Sequence, residues 1–475
     1  MKVCVLQADY STTGVDYKNY DPPRNLGALL PGAEVDHVFL NKLTTYRQLK
    51  ELKKKGYDIF INLCEGYLEW EVPSIDVIHS LDLLDLPYTG PSAGIYDPPK
   101  DLMKYVAYCE GVKTPGYFLI EQPEDMEQVE RHLRYPLFIK PAKAGDSLGI
   151  DEHSLLHSGQ DLLKKVVEIF NEYGPLLVEE YIEGREFTVL VAANPDGKSC
   201  TVYKPVEYVF PEGKEFKTYS LKTSELHPDC NRPCDDESLE KELKQAAEKI
   251  FTGFNGVGYA RLDFRVNSKG EIFFLEINFT CSVFYEDGYE GSADYILKYD
   301  EKGKSGFLNQ IIAEGIARYQ RKKKPYLMRG NAISGFGIYA ARDIVKGEIV
   351  FAGEEKAHRI VTHRHVRDNW SDNQQLAFRR YAYALCEEVF VLWDQEPGEW
   401  APQNHSCEAN TGVDGLNVIA LKHIRQGEEL TLDYADFLDE TMEPFTCHCG
   451  AKQCRGFIQG KKGNSVNTRE IKGGR

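Results

Sequence analysis

The sequence has no run of roughly 20 apolar residues, the length a helix needs to cross a bilayer. No secretory leader is expected from its opening residues either. Met1-Lys2-Val3-Cys4-Val5-Leu6-Gln7 is too short an apolar stretch for one and reads as a buried first strand. Basic charge is in deficit: 57 Lys and Arg stand against 74 Asp and Glu, a formal net charge of -17. A duplex-binding protein needs a basic face to displace counterions, so general nucleic-acid binding is not expected. The acidic excess either keeps the protein in solution or suits a cationic partner such as a lysine-rich tail. Repeats and low-complexity tracts are absent. So is a disulfide scaffold, because the 12 cysteines are scattered and cluster only late in the chain. That pattern points to a reducing, intracellular setting, cytoplasmic or nuclear, with one metal site.

What is present exceeds one ordinary core. At 475 residues, two or three domains are expected, and 28 Tyr and 23 Phe are available to fill them. Up to about Tyr319, strand-like runs (58–63, 137–140, 271–277) alternate with helix-spaced patterns such as Leu239 to Phe251, which is α/β or α+β material. A helical stretch from Phe307 to Tyr319 runs into Arg321-Lys322-Lys323-Lys324-Pro325, the best linker candidate. These basic residues are either a nuclear-targeting signal or a complement to the helix dipole. Beyond them come short β-rich runs at 332–339, 348–351, 389–393, 418–421 and 429–432, separated by Gly-containing turns. They predict a compact, mostly β second unit.

Cys447-His448-Cys449 followed by Cys454 supplies three thiolates from one short loop. Structural zinc takes four tetrahedral ligands, and Cys407 is the natural fourth. His448 competes for that place but sits between two ligating cysteines. Around this cluster stand Ser334-Gly335-Phe336-Gly337, Phe351-Ala352-Gly353-Glu354, Asn404-His405-Ser406-Cys407-Glu408-Ala409-Asn410, Glu429-Leu430-Thr431-Leu432-Asp433-Tyr434, and a Cys454-Arg455-Gly456 ending. In this order they resemble the SET lysine methyltransferases with their zinc-bound post-SET segment. The resemblance implies that Gly335, Phe336, Gly337, Asn404, His405 and Phe457 hold S-adenosylmethionine. It also implies that Tyr434 stands at the methyl-transfer site and that Cys407, Cys447, Cys449 and Cys454 bind Zn²⁺. Leu432 stands where the family usually carries an aromatic, which implies a roomier site for the amine.

The first 320 residues carry a second set. Arg261-Leu262-Asp263-Phe264 and Glu276-Ile277-Asn278 sit on two strands joined by a turn at 267–270, which brings hard oxygen ligands together as Mg²⁺ on a nucleotide requires. Upstream, Lys140 precedes a loop at 141–149 with Gly and Ser, able to close over phosphates. Together with Val178 to Phe187, these resemble the ATP-grasp superfamily, most closely its D-alanine–D-alanine ligase branch. By that resemblance Lys100, Lys140, Ser147 and Lys222 serve the phosphates of ATP, Glu179 and Ile182 the adenine, and Glu186 the ribose. Asp263, Glu276 and Asn278 hold Mg²⁺, and Arg261 stabilises charge on an acyl-phosphate. The substrate motifs depart from that branch, with Cys64-Glu65-Gly66 and Thr280-Cys281-Ser282 at the places concerned.

The expected organisation is a multidomain chain. An N-terminal α/β domain spans 1–95, an ATP-grasp domain 96–320, a basic linker 321–325, a mostly β SET domain 326–437, a post-SET zinc segment 445–460 and a flexible tail 461–475. The expected function is an S-adenosylmethionine-dependent lysine methyltransferase joined to an ATP- and Mg²⁺-dependent carboxylate–amine ligase unit. Its partners would be a lysine-containing protein or peptide and a small carboxylate and amine, with no membrane. Two alternatives are a biosynthetic ligase whose SET unit methylates a small amine, and a non-catalytic scaffold binding ATP and a lysine-containing partner.

Overall fold

The computed structural model describes residues 1–13, 21–66, 71–143, 149–212, 216, 230–331, 335–355, 358–386, 388–393 and 403–462. Two compact units divide the chain, Met1–Arg321 and Lys322–Arg475. Ser147 and Lys222 lie outside the described residues, as do Ser334 and most of the expected tail. All 12 cysteines are free. Among the described residues no helix is long and apolar enough to cross a membrane.

The first unit begins with a parallel three-stranded sheet of β1 (Lys2–Ala8), β2 (Glu34–Leu40) and β3 (Ile59–Asn62), in the order β2-β1-β3. Strand alternation explains why β1 is apolar on both faces. Val3 and Val5 enter one core with Leu190, Phe307 and Ile311, while Cys4 and Leu6 enter another with Leu49, Phe60 and Ile78. Because the chain leaves β1 to one side and returns on the other, a crevice opens beyond the carboxyl ends of β1 and β3.

Next comes an antiparallel sheet of β4 (Tyr117–Ile120), β5 (Leu137–Pro141), β6 (Leu155–Leu156) and β7 (Leu176–Glu180), ordered β4-β7-β5-β6. Leu137, Ile139, Leu176 and Val178 face the helices Met126–His132 and Gly159–Tyr173. Period-2 alternation therefore turns Phe138, Lys140 and Glu179 to the opposite face.

The largest sheet contains β8 (Arg185–Ala193), β9 (Cys200–Val202), β10 (Val206–Tyr208), β11 (Asn231–Pro233), β12 (Tyr259–Val266) and β13 (Ile272–Asn278). Its order is β11-β10-β8-β12-β13, with β9 on β8. Leu262, Phe264, Val266, Phe187 and Val189 bury themselves against the helix Glu237–Gly253. The alternate residues Arg261, Asp263, Arg265 and Glu186 point the other way. Close backbone approach fixes the start of β12: Gly258 has φ +69°, and a Cβ there would lie 2.3 Å from the Gly90 carbonyl.

The second unit is built mostly of short strands, as its sequence predicts. Tyr326–Asn331 pairs with Gly335–Ala340. A three-stranded sheet joins Ile349–Phe351, Asn417–Ala420 and Thr411–Asp414, and another joins His358–Val361, Val389–Trp393 and Tyr383–Cys386. Two helices, His363–Asn369 and Asp372–Tyr381, are additions to the β picture. Asn404–His405 runs parallel to Thr431–Leu432, and Phe445–Thr446 pairs antiparallel with Phe457–Ile458.

Candidate active sites

In the first unit an open cleft of about 700 Å³ lies between the second and third sheets. Lys140, Glu179, Ile182, Glu186, Asp263 and Glu276 line it, six of the residues singled out by the sequence, beside Phe138, Tyr181, Phe216 and Arg265. The β12–β13 register sets Asp263 opposite Glu276 and Arg261 opposite Asn278, with an irregularity just after Asp263. Facing carboxylates repel one another unless a cation lies between them, and a bulge at such a place re-aims a side chain. Arg261 Nη2 lies 3.2 Å from Asp263 Oδ2, and its buried Nε has no hydrogen-bond partner among the described residues. The Asn278 side-chain oxygen, Oδ1, accepts from the Thr280 N–H at 2.8 Å.

Behind this floor is a buried charge cluster that the sequence did not announce in full. The Glu179 carboxylate lies 2.5 Å from Lys104 Nζ and 2.5 Å from Lys140 Nζ. Burial alone would raise its pKa, but the two ammonium groups outweigh that and hold the carboxyl at about 2. Lys100 is buried at the first turn of the helix Lys100–Cys109, and desolvation lowers its pKa against the pull of Glu276. Glu179 is thus committed to lysines by its side chain, while its backbone lies in register between Tyr117 of β4 and Phe138 of β5. At the other end Arg265 donates to the Tyr181 hydroxyl (2.8 Å), the Ile182 carbonyl (3.1 Å) and Glu186 (3.1 Å).

The crevice beyond β1 and β3 holds a further cluster, which includes the departing residues. Buried Arg24 bonds Glu65 and Asp21, each at 3.1 Å, and its guanidinium lies over the Tyr285 ring at 4.8 Å. Ser282 donates to Glu65 at 2.5 Å, and Tyr10 and Tyr285 donate to Asp21. Burial pushes the Glu65 carboxyl up to about 7 even beside Arg24. Two carboxylates on one guanidinium leave the cluster net anionic when both are ionised.

In the second unit a cleft of about 700 Å³ is walled by Phe351, Tyr381, Tyr383, Trp393, Leu432, Tyr434 and Phe437. Phe351 stacks on Trp393 at 4.6 Å. The Gly353 that follows is required by crowding, since a Cβ there would lie 1.8 Å from the Leu416 carbonyl oxygen. Tyr434 donates its hydroxyl to the Gln403 carbonyl, and burial pushes its pKa up to about 12, so it stays protonated through the neutral range. Tyr383 and Trp393 were not foreseen, because aromatic residues in short strands read as ordinary core.

Asn404 donates both amide hydrogens inward, to the Phe336 carbonyl (2.9 Å) and Glu429 (2.8 Å). Gly335 opens its strand at φ +85°, and the side chains of Phe336 and Phe457 are exposed. His405, Cys407, Cys447 and Cys449 have ligand atoms all within 4.8 Å of one another. Cys454 Sγ lies 3.6 Å from Cys447 Sγ. His405 Nδ1 accepts the Tyr434 N–H at 3.1 Å, so the neutral ring carries its proton on Nε2, which lies 3.4 Å from Cys407 Sγ. That proton faces sulfur and leaves no lone pair for a metal.

Residues 109–283 match the family model of the D-ala D-ala ligase C-terminus, and residues 335–435 match that of the SET domain. D-alanine–D-alanine ligase B of Clostridium tetani is 32% identical over 301 residues, covering 58% of this chain and 78% of that protein. The chain belongs to the D-alanine–D-alanine ligase family. It spans 64% and 58% of the length of two other ligases of this family, those of Aquifex aeolicus and Halothermothrix orenii, each at 30% identity. The fold likeness extends to the D-alanine–D-alanine ligase from Bacillus anthracis complexed with ATP, at 17% identity and TM-score 0.50, covering 68% of this chain and 100% of that one. Family membership rests on the first unit; the second adds a SET domain to a ligase fold.

Proposed function

We propose that the protein transfers methyl groups from S-adenosylmethionine to the ε-amine of a lysine in a protein or peptide, and that its first unit uses ATP and Mg²⁺ to activate a carboxylate. The carrying observation is the aromatic cleft in which Tyr434 stands with its hydroxyl on the Gln403 carbonyl. Methyl transfer is an in-line displacement at carbon by a neutral amine, so alignment and desolvation are the main demands. With its proton given to Gln403, the Tyr434 oxygen can accept from the amine and aim its lone pair. The apolar walls disfavour the ammonium form.

S-adenosylmethionine, when bound, supplies the methyl as a sulfonium. Asn404 suits its methionine end, because both amide hydrogens are spent inward and the amide oxygen remains to accept from an ammonium. Gly335, Phe336, Gly337, His405 and Phe457 would complete the site. Cys407, Cys447, Cys449 and Cys454 suit zinc, with His405 as a donor to sulfur rather than a ligand. Leu432 lines the cleft, so the wild type is expected to pass beyond monomethyl product, and Leu432→Tyr to shift the product toward monomethyl by mass spectrometry. Monomethyl product alone from the wild type would contradict this.

In the first unit the opposed Asp263 and Glu276 suit Mg²⁺, with Asn278 beside them, and Lys100 and Lys140 suit phosphates. Arg261 would meet the negative charge of an acyl-phosphate and of the tetrahedral adduct an amine forms with it. Glu276→Ala is expected to abolish Mg²⁺-dependent ADP release while leaving methyl transfer within about twofold, since each cleft is lined by residues of its own unit. The decisive assay incubates peptides and metabolites with ATP, Mg²⁺ and S-adenosylmethionine, beside Tyr434→Phe and Glu276→Ala. Products read by mass spectrometry then fall to one unit or the other. The Arg24–Asp21–Glu65 cluster favours a second reading, ligation of a small cationic amine, because its excess carboxylate suits an ammonium. ADP release that depends on an added amine would support it.

A further inference from the structure

The sulfur of Cys407 collects an unusual number of donors. His405 Nε2, the Arg455 backbone N–H and Arg455 Nε each lie 3.4 Å from it. Neither residue stops there. The far end of Arg455, Nη2, reaches the Asp433 carboxylate at 2.5 Å, and Asp433 accepts from the Ala435 N–H at 3.1 Å, capping the turn Tyr434–Asp436. The far side of the His405 ring accepts the Tyr434 N–H itself. Two separate arms therefore run from one sulfur to the backbone that carries the Tyr434 ring.

We infer that Arg455 is a positioning residue that, with His405, hangs the Tyr434 backbone from the Cys407 sulfur, so that the cysteine cluster sets the geometry of methyl transfer. The inference rests on the methyltransferase reading for its kinetic consequence, though not for its structural one. A simpler role for Arg455, neutralising a thiolate, would need only its N–H and Nε. The fork extended to Asp433 is what that role leaves unexplained. An arginine spans both partners because its donors are spread over a rigid plane, whereas a lysine reaches one or the other. The sequence hides the arrangement, since Cys407, Asp433 and Arg455 lie in three separate motifs.

The test compares Arg455→Ala, Arg455→Lys and Asp433→Asn with wild type, each with its zinc content measured. With zinc retained, Arg455→Ala and Asp433→Asn are expected to lower kcat by about 10²-fold, the cost of displacing a reacting group by about 1 Å. KM for S-adenosylmethionine should stay within about threefold, because the effect lies in alignment rather than ground-state binding. Arg455→Lys should recover only part of the loss, and the double variant should be no worse than either single. Independently of any turnover, backbone hydrogen exchange over 433–438 should rise in zinc-loaded Arg455→Ala, as it should in wild type stripped by a chelator. Unchanged exchange there with zinc retained, or kcat losses that multiply in the double variant, would overturn the inference. A wild type without methyl transfer would instead refute the proposed function, and the exchange experiment would still decide the role of Arg455.

Discussion

Tyr434→Phe is expected to lower methyl-transfer kcat by about 10²-fold while the protein stays folded, because the amine loses the contact that aligns it and a misplaced reacting group costs about that much. The ring remains to pack against Phe437 and Phe445. Among the described residues the hydroxyl's bond to Gln403 is what is lost, about 0.5–1.5 kcal/mol of stability. The pH profile separates this role from that of a proton acceptor. With the Tyr434 pKa near 12, its hydroxyl keeps one protonation state from pH 6 to 10. The rate should therefore rise with pH as the acceptor amine loses its proton, with no descending limb below about 12. A stopped assay with a peptide acceptor reads both. A tyrosine variant that retains full kcat would remove Tyr434 from the mechanism.

The second large effect is on stability. Glu179→Gln should destabilise the first unit by about 3–5 kcal/mol, the cost of leaving buried charges without their counterion. Here the uncompensated groups are two, Lys104 and Lys140. Denaturant unfolding measures it. The variant's deficit should shrink as pH rises, because Lys104, already lowered to about 8 by burial, can then shed its proton. In the wild type stability likewise rises with pH, but across an acidic window. The Glu179 carboxyl is held at about 2 when folded but has an ordinary value of 4.5 when unfolded, so the unfolded chain binds the extra proton first. The stabilisation is complete above 4.5 and is lost as pH falls toward 2. A variant as stable as wild type at pH 7 would mean that Lys104 and Lys140 are neutral in the fold.

Much of this was legible in the sequence because both sites are built from short motifs whose members are near neighbours on a strand. Arg261 and Asp263 are two apart, so one strand face presents both, and the turn at 267–270 returns Glu276 to meet them. The helix Glu237–Gly253 and the strand Ile272–Asn278 stand where their apolar spacing put them. What stayed hidden depends on distant partners. Nothing local tells that Lys104 reaches Glu179, that Arg265 closes on Glu186, or that Arg24 is shared by Asp21 and Glu65. The helices His363–Asn369 and Asp372–Tyr381 were missed for another reason. They bury only Val366 and Phe378 respectively, too little for a period to appear. The cysteine cluster was readable from spacing, whereas the tautomer of His405, which turns its proton toward Cys407, required the Tyr434 N–H.

The two-residue parallel pairing of Asn404–His405 with Thr431–Leu432 has a kinetic consequence. So short a ladder cannot nucleate itself, and its loop must close before the pairing returns any free energy. The place where methyl donor and acceptor would meet is therefore among the last parts of the second unit to form during refolding.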